Sequence, residues 1–382
     1  MKSLKITALS LVLVLLLAAC GAKNDTPDEP AVDPTPEPPI EQPVEKTPDE
    51  RINDIIAGMS IEEKVGQLFF VRCPETGAAE DVETYHLGGL LLFGRDYKDA
   101  NGDWLTEDDF TAALASYQDA AAIPLFIGSD EEGGTVTRAS KNPNLFSEPL
   151  PSPQELYAAG GLDGLLERTL SYNQKLKAFG VNVNFAPVCD VSTNPDNFIY
   201  ARSFGQDAQT TADYISSVVP VYAQSGVACV LKHFPGYGNN ADTHTGIALD
   251  ARPYTTFEKS DLVPFESGIA AGAPFVLVSH NIVECMDGAY PASHTLLRDT
   301  LGFTGVIVTD DLAMDAVKAY AQDGSAAVLA IQAGNDMIVT TDYQTQIPQV
   351  IAAVQSGEIA ESDIDAHVFR VLHEKQALGL ID

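Results

Sequence analysis

Gly305-Val306-Ile307-Val308-Thr309-Asp310-Asp311 is an apolar, β-branched run that ends abruptly in two carboxylates. A strand with one face in water alternates apolar and polar residues. A run without alternation is buried on both faces, as in a parallel sheet. The same pattern recurs at residues 65–71, 88–93, 124–130, 181–190, 226–234, 274–280 and 336–340. Helical stretches separate the runs, among them 106–121, 153–179, 208–225, 256–271 and 315–333. About eight buried strands joined by crossover helices predict an α/β fold of the (β/α)8 TIM-barrel type in a single catalytic domain. A doubly wound open sheet is the alternative, although no G-x-G-x-x-G follows the first strand to make it a dinucleotide binder.

The ends of these runs carry the functional signal. They close in Asp130, Asp190, Lys232-His233, Ser279-His280 and Asp310-Asp311. A barrel gathers the C-terminal ends of its strands at one mouth, where its active sites lie. A lone Asp after a strand is usually a helix cap. Ionisable residues after so many strands are better explained by convergence on one pocket.

Outside the barrel the chain reads differently. Residues 1–19 read as a signal peptide: Lys2 and Lys5 precede an apolar run too short to span a bilayer comfortably. Leu17-Ala18-Ala19 leads to Cys20 and then Gly21. Small residues before such a cysteine resemble a bacterial lipobox, which implies cleavage before Cys20 and its lipidation. An ordinary signal peptide with an incidental cysteine is the plainer alternative. Residues 20–47 are rich in Pro, Glu, Asp and Thr and lack an apolar period. They are expected to form a disordered, semi-stiff tether. Residues 48–382 are left for the catalytic barrel, and 45% of the whole chain is apolar, enough for a core. The net charge of −32 excludes a phosphate-neutralising surface, so no nucleic-acid partner is expected. Besides Cys20, cysteine occurs at 73, 189, 229 and 285, too far apart for a C-x-x-C metal site. Cys189 and Cys229 fall inside apolar runs, where buried thiols are expected.

Five segments, read together, resemble glycoside hydrolase family 3. They are Asp130-Glu131-Glu132-Gly133-Gly134-Thr135-Val136-Thr137-Arg138, Asn184-Phe185-Ala186-Pro187-Val188-Cys189-Asp190, Arg202-Ser203-Phe204-Gly205, Lys232-His233-Phe234-Pro235-Gly236 and the run closing in Asp310-Asp311-Leu312-Ala313-Met314. Their order is similar to that of the family's bacterial β-N-acetylglucosaminidase branch. The resemblance implies Asp310 as nucleophile and Asp130, Arg138, Arg202, Lys232 and His233 as the pocket for the terminal sugar. It also implies the dyad of the family's D-[ST]-H motif, here Asp242-Thr243-His244, with His244 as acid/base and Asp242 orienting it. Tyr237 stands where the family usually has His, and Glu131 where Gln is common.

The residue types suit that chemistry. Glycoside cleavage passes through an oxocarbenium-like state and needs a carboxylate on one face and a proton donor on the other. Carboxylates accept vicinal hydroxyls, and Lys and Arg donate to them. Arg138 and Arg202 have a plainer reading as structural partners of Asp190 or another carboxylate. Asp311 reads as the cap of the next helix, His280 as either a substrate contact or a positioning residue, and Trp104 as packing. The expectation is a retaining enzyme acting on terminal β-GlcNAc, in peptidoglycan fragments, with a carbohydrate and a membrane as partners and no metal or cofactor. A family 3 β-glycosidase or phosphorylase of other sugar specificity and an inactive sugar-binding lipoprotein are the rivals. β-Glucosidases of the family typically take the acid/base from an added C-terminal domain, and none is expected after Leu378-Gly379-Leu380. Oligomeric state is not readable.

Overall fold

Ser60 shortens the first strand. Its side chain accepts from Glu63 N while the Glu63 carboxylate accepts from Ser60 N, a reciprocal cap that starts a helix at Ile61–Gln67. The apolar run from residue 65 is therefore split, and β1 is Phe69–Arg72. This computed structural model describes residues 46–238, 249–286, 293–314, 317 and 325–382. Cys20, Asp242 and His244 lie outside them. Lys46–Asp382 is one unit by its internal contacts.

The other strands are β2 Gly89–Leu92, β3 Phe126–Ser129, β4 Val183–Asn184, β5 Ala228–Phe234, β6 Leu249–Asp250, β7 Phe275–Val278, β8 Ile282–Val283, β9 Val306–Thr309 and β10 Ile338–Thr340. Eight pair in parallel in the order β10-β1-β2-β3-β4-β5-β7-β9. The ring closes where Val308 bridges Met337 and Leu312 N donates to Val339 O at 2.9 Å. This is the expected (β/α)8 barrel. Among the described residues β6 and β8 pair only with each other, Leu249 beside Ile282. The run at 181–190 forms a shorter strand than its composition suggests. Pro187 has no N–H to donate, and regular pairing stops at Asn184.

Phenylalanines fill the barrel. Phe70 lies 6.1 Å from Phe126 and 5.2 Å from Phe185, and Phe126 lies 5.3 Å from Phe275, ring centre to ring centre. Gly128 is required between them, since a Cβ there would come within 2.7 Å of Phe70 and 2.8 Å of Phe185. Val306 and Val308 pack with this inner cluster, while Ile307 packs with Phe265 and Val218 of the helical layer. Side chains alternate along a strand. The inward set therefore continues from Val308 to Asp310.

Helices follow their caps. Ser152 and Glu155 cap Pro153–Phe179, and Asp207 caps Ala208–Ser225. Within the helix expected at 315–333, the described residues include a helix at Ala326–Gln332. The N-terminal end of the barrel is closed by Glu361–Ala377, whose Lys375 Nζ donates to Gln67 Oε1 at 2.7 Å and sits 5.3 Å from the Phe126 ring centre. Cys73, Cys189 and Cys229 are buried free thiols, and Cys285 is an exposed one. Trp104 packs against the core with the Lys98 ammonium 4.5 Å from its ring centre, in keeping with a packing role.

Candidate active site

The predicted sugar-binding side chains meet over the C-terminal ends of the strands, round a cavity of about 310 Å³. Its walls include Asp130, Arg138, Arg202, Lys232, His233, Asp310 and Asp311. Lys232 and His233 are neighbours on β5, yet both reach it. The register of β5 against β7 shifts between Leu231 and Phe234, and such an irregularity re-aims side chains.

Charge pairing holds the cavity in shape. Lys232 Nζ lies 2.8 Å from Asp130 Oδ1 and 2.6 Å from Glu132 Oε1. Arg202 grips Glu132 with two bonds, Nε to Oε2 at 3.0 Å and Nη2 to Oε1 at 2.7 Å. Burial alone would raise the Glu132 pKa, but the Lys232 ammonium and the Arg202 guanidinium more than offset it and hold the carboxyl at about 2. Burial would lower Lys232, and Asp130 and Glu132 keep it above the usual lysine value. Glu132 is one site residue that the sequence alone does not single out. It was visible inside its motif, but its neighbours in space come from residues 202 and 232. The alternative reading of Arg202 as a carboxylate partner is met by Glu132 rather than by Asp190, and Arg202 still lines the cavity.

Asp190 serves His233. Its Oδ2 lies 2.8 Å from His233 Nδ1, and its Oδ1 accepts from Tyr237 N at 2.7 Å. The Nδ1–H therefore points at Asp190, which leaves Nε2 to accept from Arg202 Nη2 at 3.0 Å. Both ring nitrogens are committed to holding position. Tyr237 is buried with its ring edge-on to Phe198 and His233. Arg138 approaches Asp130 at 3.7 Å.

Asp310 follows β9 directly, and its N–H donates to Val278 O at 3.0 Å. Asp311 instead turns its Oδ1 to Ala313 N at 2.9 Å, as a capping residue does. Burial pushes the Asp311 carboxyl up. Glu131 points away from the cavity and closes its own loop, accepting from Arg138 N, Ser140 N and Ser140 Oγ. Burial raises it to about 7 against those bonds. That loop needs Gly133, whose φ is +95° and whose added Cβ would meet Pro151 O at 2.3 Å. Arg72 and Phe93, neither singled out in the sequence, form another wall. His280 Nε2 is buried without a hydrogen-bond partner among the described residues. Among those residues no group of three His, Cys, Asp or Glu is arranged to hold a metal.

The arrangement offers carboxylate acceptors and cationic donors for hydroxyl groups, with an inward carboxylate at the floor. Comparison with known proteins agrees. The family described as "Glycosyl hydrolase family 3 N terminal domain" matches residues 60–373. A β-hexosaminidase of Nitrosomonas eutropha is 32% identical over 279 residues, 70% of this chain and 78% of that protein. The β-hexosaminidase LpqI of Mycobacterium tuberculosis is 30% identical over 335 residues, 83% of each chain. The structure of a family 3 β-N-acetylglucosaminidase from a Paenibacillus superposes with a TM-score of 0.77 at 31% identity, covering 84% of this chain and 63% of that one.

Proposed function

This chain belongs to glycosyl hydrolase family 3, and from that premise we propose the division of labour by which it removes terminal β-linked N-acetylglucosamine with retention of configuration. The observation that carries the proposal is Asp310, which continues the inward face of β9 into a cavity whose other walls are paired acceptors and donors. Asp130, Arg138 and Lys232 hold the hydroxyls of the terminal sugar. Glu132, Arg202, Asp190 and His233 keep those groups in place. Asp310 attacks the anomeric carbon as the glycosidic bond breaks, giving a covalent glycosyl ester, and water then cleaves the ester. His244, oriented by Asp242, protonates the leaving oxygen in the first step and takes a proton from the water in the second.

Hydrolysis of 4-nitrophenyl β-GlcNAc against β-Glc, with and without inorganic phosphate, tests sugar and acceptor together. A faster reaction of β-Glc, or products phosphorylated at C1, overturns the reading. A fluorinated slow substrate is expected to label Asp310, and a label on Asp311 or Asp130 would reassign the nucleophile.

The proposal extends to place. Lipidation of Cys20 would hold the enzyme on the outer side of the cell membrane by residues 20–47, where peptidoglycan fragments supply β-GlcNAc ends. What supports this is the composition of residues 1–47. Cys20→Ser is expected to release the protein from membranes, and retention after a high-salt wash would show a different anchor.

A further inference from the structure

Every cation of the cavity but one has a carboxylate within 4 Å. Lys232 has Asp130 and Glu132, Arg202 has Glu132, and Arg138 has Asp130. Arg72 is the exception among the described residues. It ends β1 and lines the same cavity as Asp310. Its guanidinium carbon sits 4.0 Å from the centre of the Phe93 ring. Arg138 approaches that ring too, at 5.6 Å. The Arg72 Nε is buried without a hydrogen-bond partner among the described residues. Asp96 and Asp311 feel its charge, but neither forms an ion pair with it.

A partly buried guanidinium is normally paired, because removing it from water without a partner is costly. Stacking on an aromatic face supports the plane of the group and leaves its edge donors free. That edge matches a planar two-oxygen acceptor and holds it by two parallel hydrogen bonds. A neutral hydroxyl would satisfy one donor and leave the charge uncompensated. The hydroxyls of the terminal sugar already have Asp130, Lys232 and Arg138.

We propose that Arg72, laid on Phe93, is a substrate-binding residue that takes a carboxylate carried by the leaving group of the glycoside. This rests on the reading of the cavity as a β-N-acetylglucosaminidase site and adds a preference among aglycones. The preference opposes the overall charge of −32, which repels anions at long range. It must therefore be made locally.

The test uses two β-GlcNAc glycosides with the same aliphatic aglycone, one ending in a carboxylate two carbons from the glycosidic oxygen and one in its primary amide. Full-length enzyme is expected to favour the acid in kcat/KM by roughly 10–100-fold, the usual range for a charge-assisted hydrogen bond. Arg72→Met is expected to bring the acid-to-amide ratio to about 1. Arg72→Gln, which keeps polarity without charge, is read the same way should the Met variant not fold. A wild-type ratio of 1 or below, or a ratio that survives both substitutions, overturns the role of Arg72 while turnover of both glycosides leaves the wider reading standing. Absence of turnover of either glycoside, and of 4-nitrophenyl β-GlcNAc, would instead overturn the β-GlcNAc reading itself.

Discussion

At the scale of single residues, two adjacent glutamates have opposite thermodynamic roles. Glu132 neutralises two buried cations, so Glu132→Gln leaves Lys232 and Arg202 with too little negative charge. Breaking a buried pair of this kind costs about 3–5 kcal/mol. Urea unfolding should show that loss, whereas Asp310→Asn should keep wild-type stability and lose nearly all turnover. Equal stability of Glu132→Gln and wild type would mean that the cluster does not hold the site. Glu131 acts the other way. Its folded pKa of about 7 lies above the ordinary 4.5, so between these values the folded chain keeps a proton that the unfolded chain has lost. Stability attributable to Glu131 is therefore present below pH 4.5 and falls as pH rises to 7, by at most about 3 kcal/mol. Glu131→Gln should remove that slope. The check is the difference in unfolding midpoint between pH 5 and pH 8, and an unchanged difference in the variant refutes it.

At the scale of elements, the segment between β5 and β6 concentrates the proposed proton chemistry. Arg252 joins its two flanks. It bonds Gly236 O at 3.2 Å before the segment, Asp250 at 2.7 Å after it, and Asp261 at 2.9 Å, at the end of the helical stretch Phe257–Asp261. Residues 239–248 between these flanks contain His244. An imidazole titrates near neutrality without the burial that a carboxylic acid would need. His244→Ala should slow natural glycosides by about 10²–10⁴-fold, the usual worth of a positioned acid or base. Leaving groups that depart without protonation should lose far less in the glycosylation step. A loss that does not vary with leaving-group pKa would leave His244 as a binding residue only.

At the scale of the whole molecule, the barrel is polar at its mouth and sealed beneath by a lysine. Lys375 is fully buried, and burial lowers its pKa from 10.5 to about 7. Between those values the unfolded chain binds more protons than the folded one, so stability rises with pH and the group is a cost at neutrality. Met fills a similar volume without a charge to desolvate. Lys375→Met should therefore raise stability at pH 7, by at most about 5 kcal/mol, and by less near pH 10. A gain that does not change between pH 7 and pH 10 would show that protonation is not its source. The barrel itself should tolerate the change, because its interior is filled by Phe70, Phe126, Phe185 and Phe275.

The sequence by itself determined the barrel and the gathering of its site. Both depend on local rules: unbroken apolar runs mark strands buried on two faces, and the residue that ends each run must emerge at one rim. Asp130, Lys232, His233 and Asp310 were legible for that reason. The family motifs added Arg138 and Arg202. The sequence did not show where strands would be trimmed, since the Ser60 cap and Pro187 compete with apolar runs that look continuous. Tertiary structure alone decided who pairs with whom. Arg202 takes Glu132, 70 positions away, and His233 takes Asp190 because the register of β3, β4 and β5 brings those side chains within hydrogen-bond reach. Arg72 stands beside Phe93 through the pairing of β1 with β2. Contacts across a closed sheet depend on the stagger of its strands, and no spacing along a single chain encodes that stagger locally.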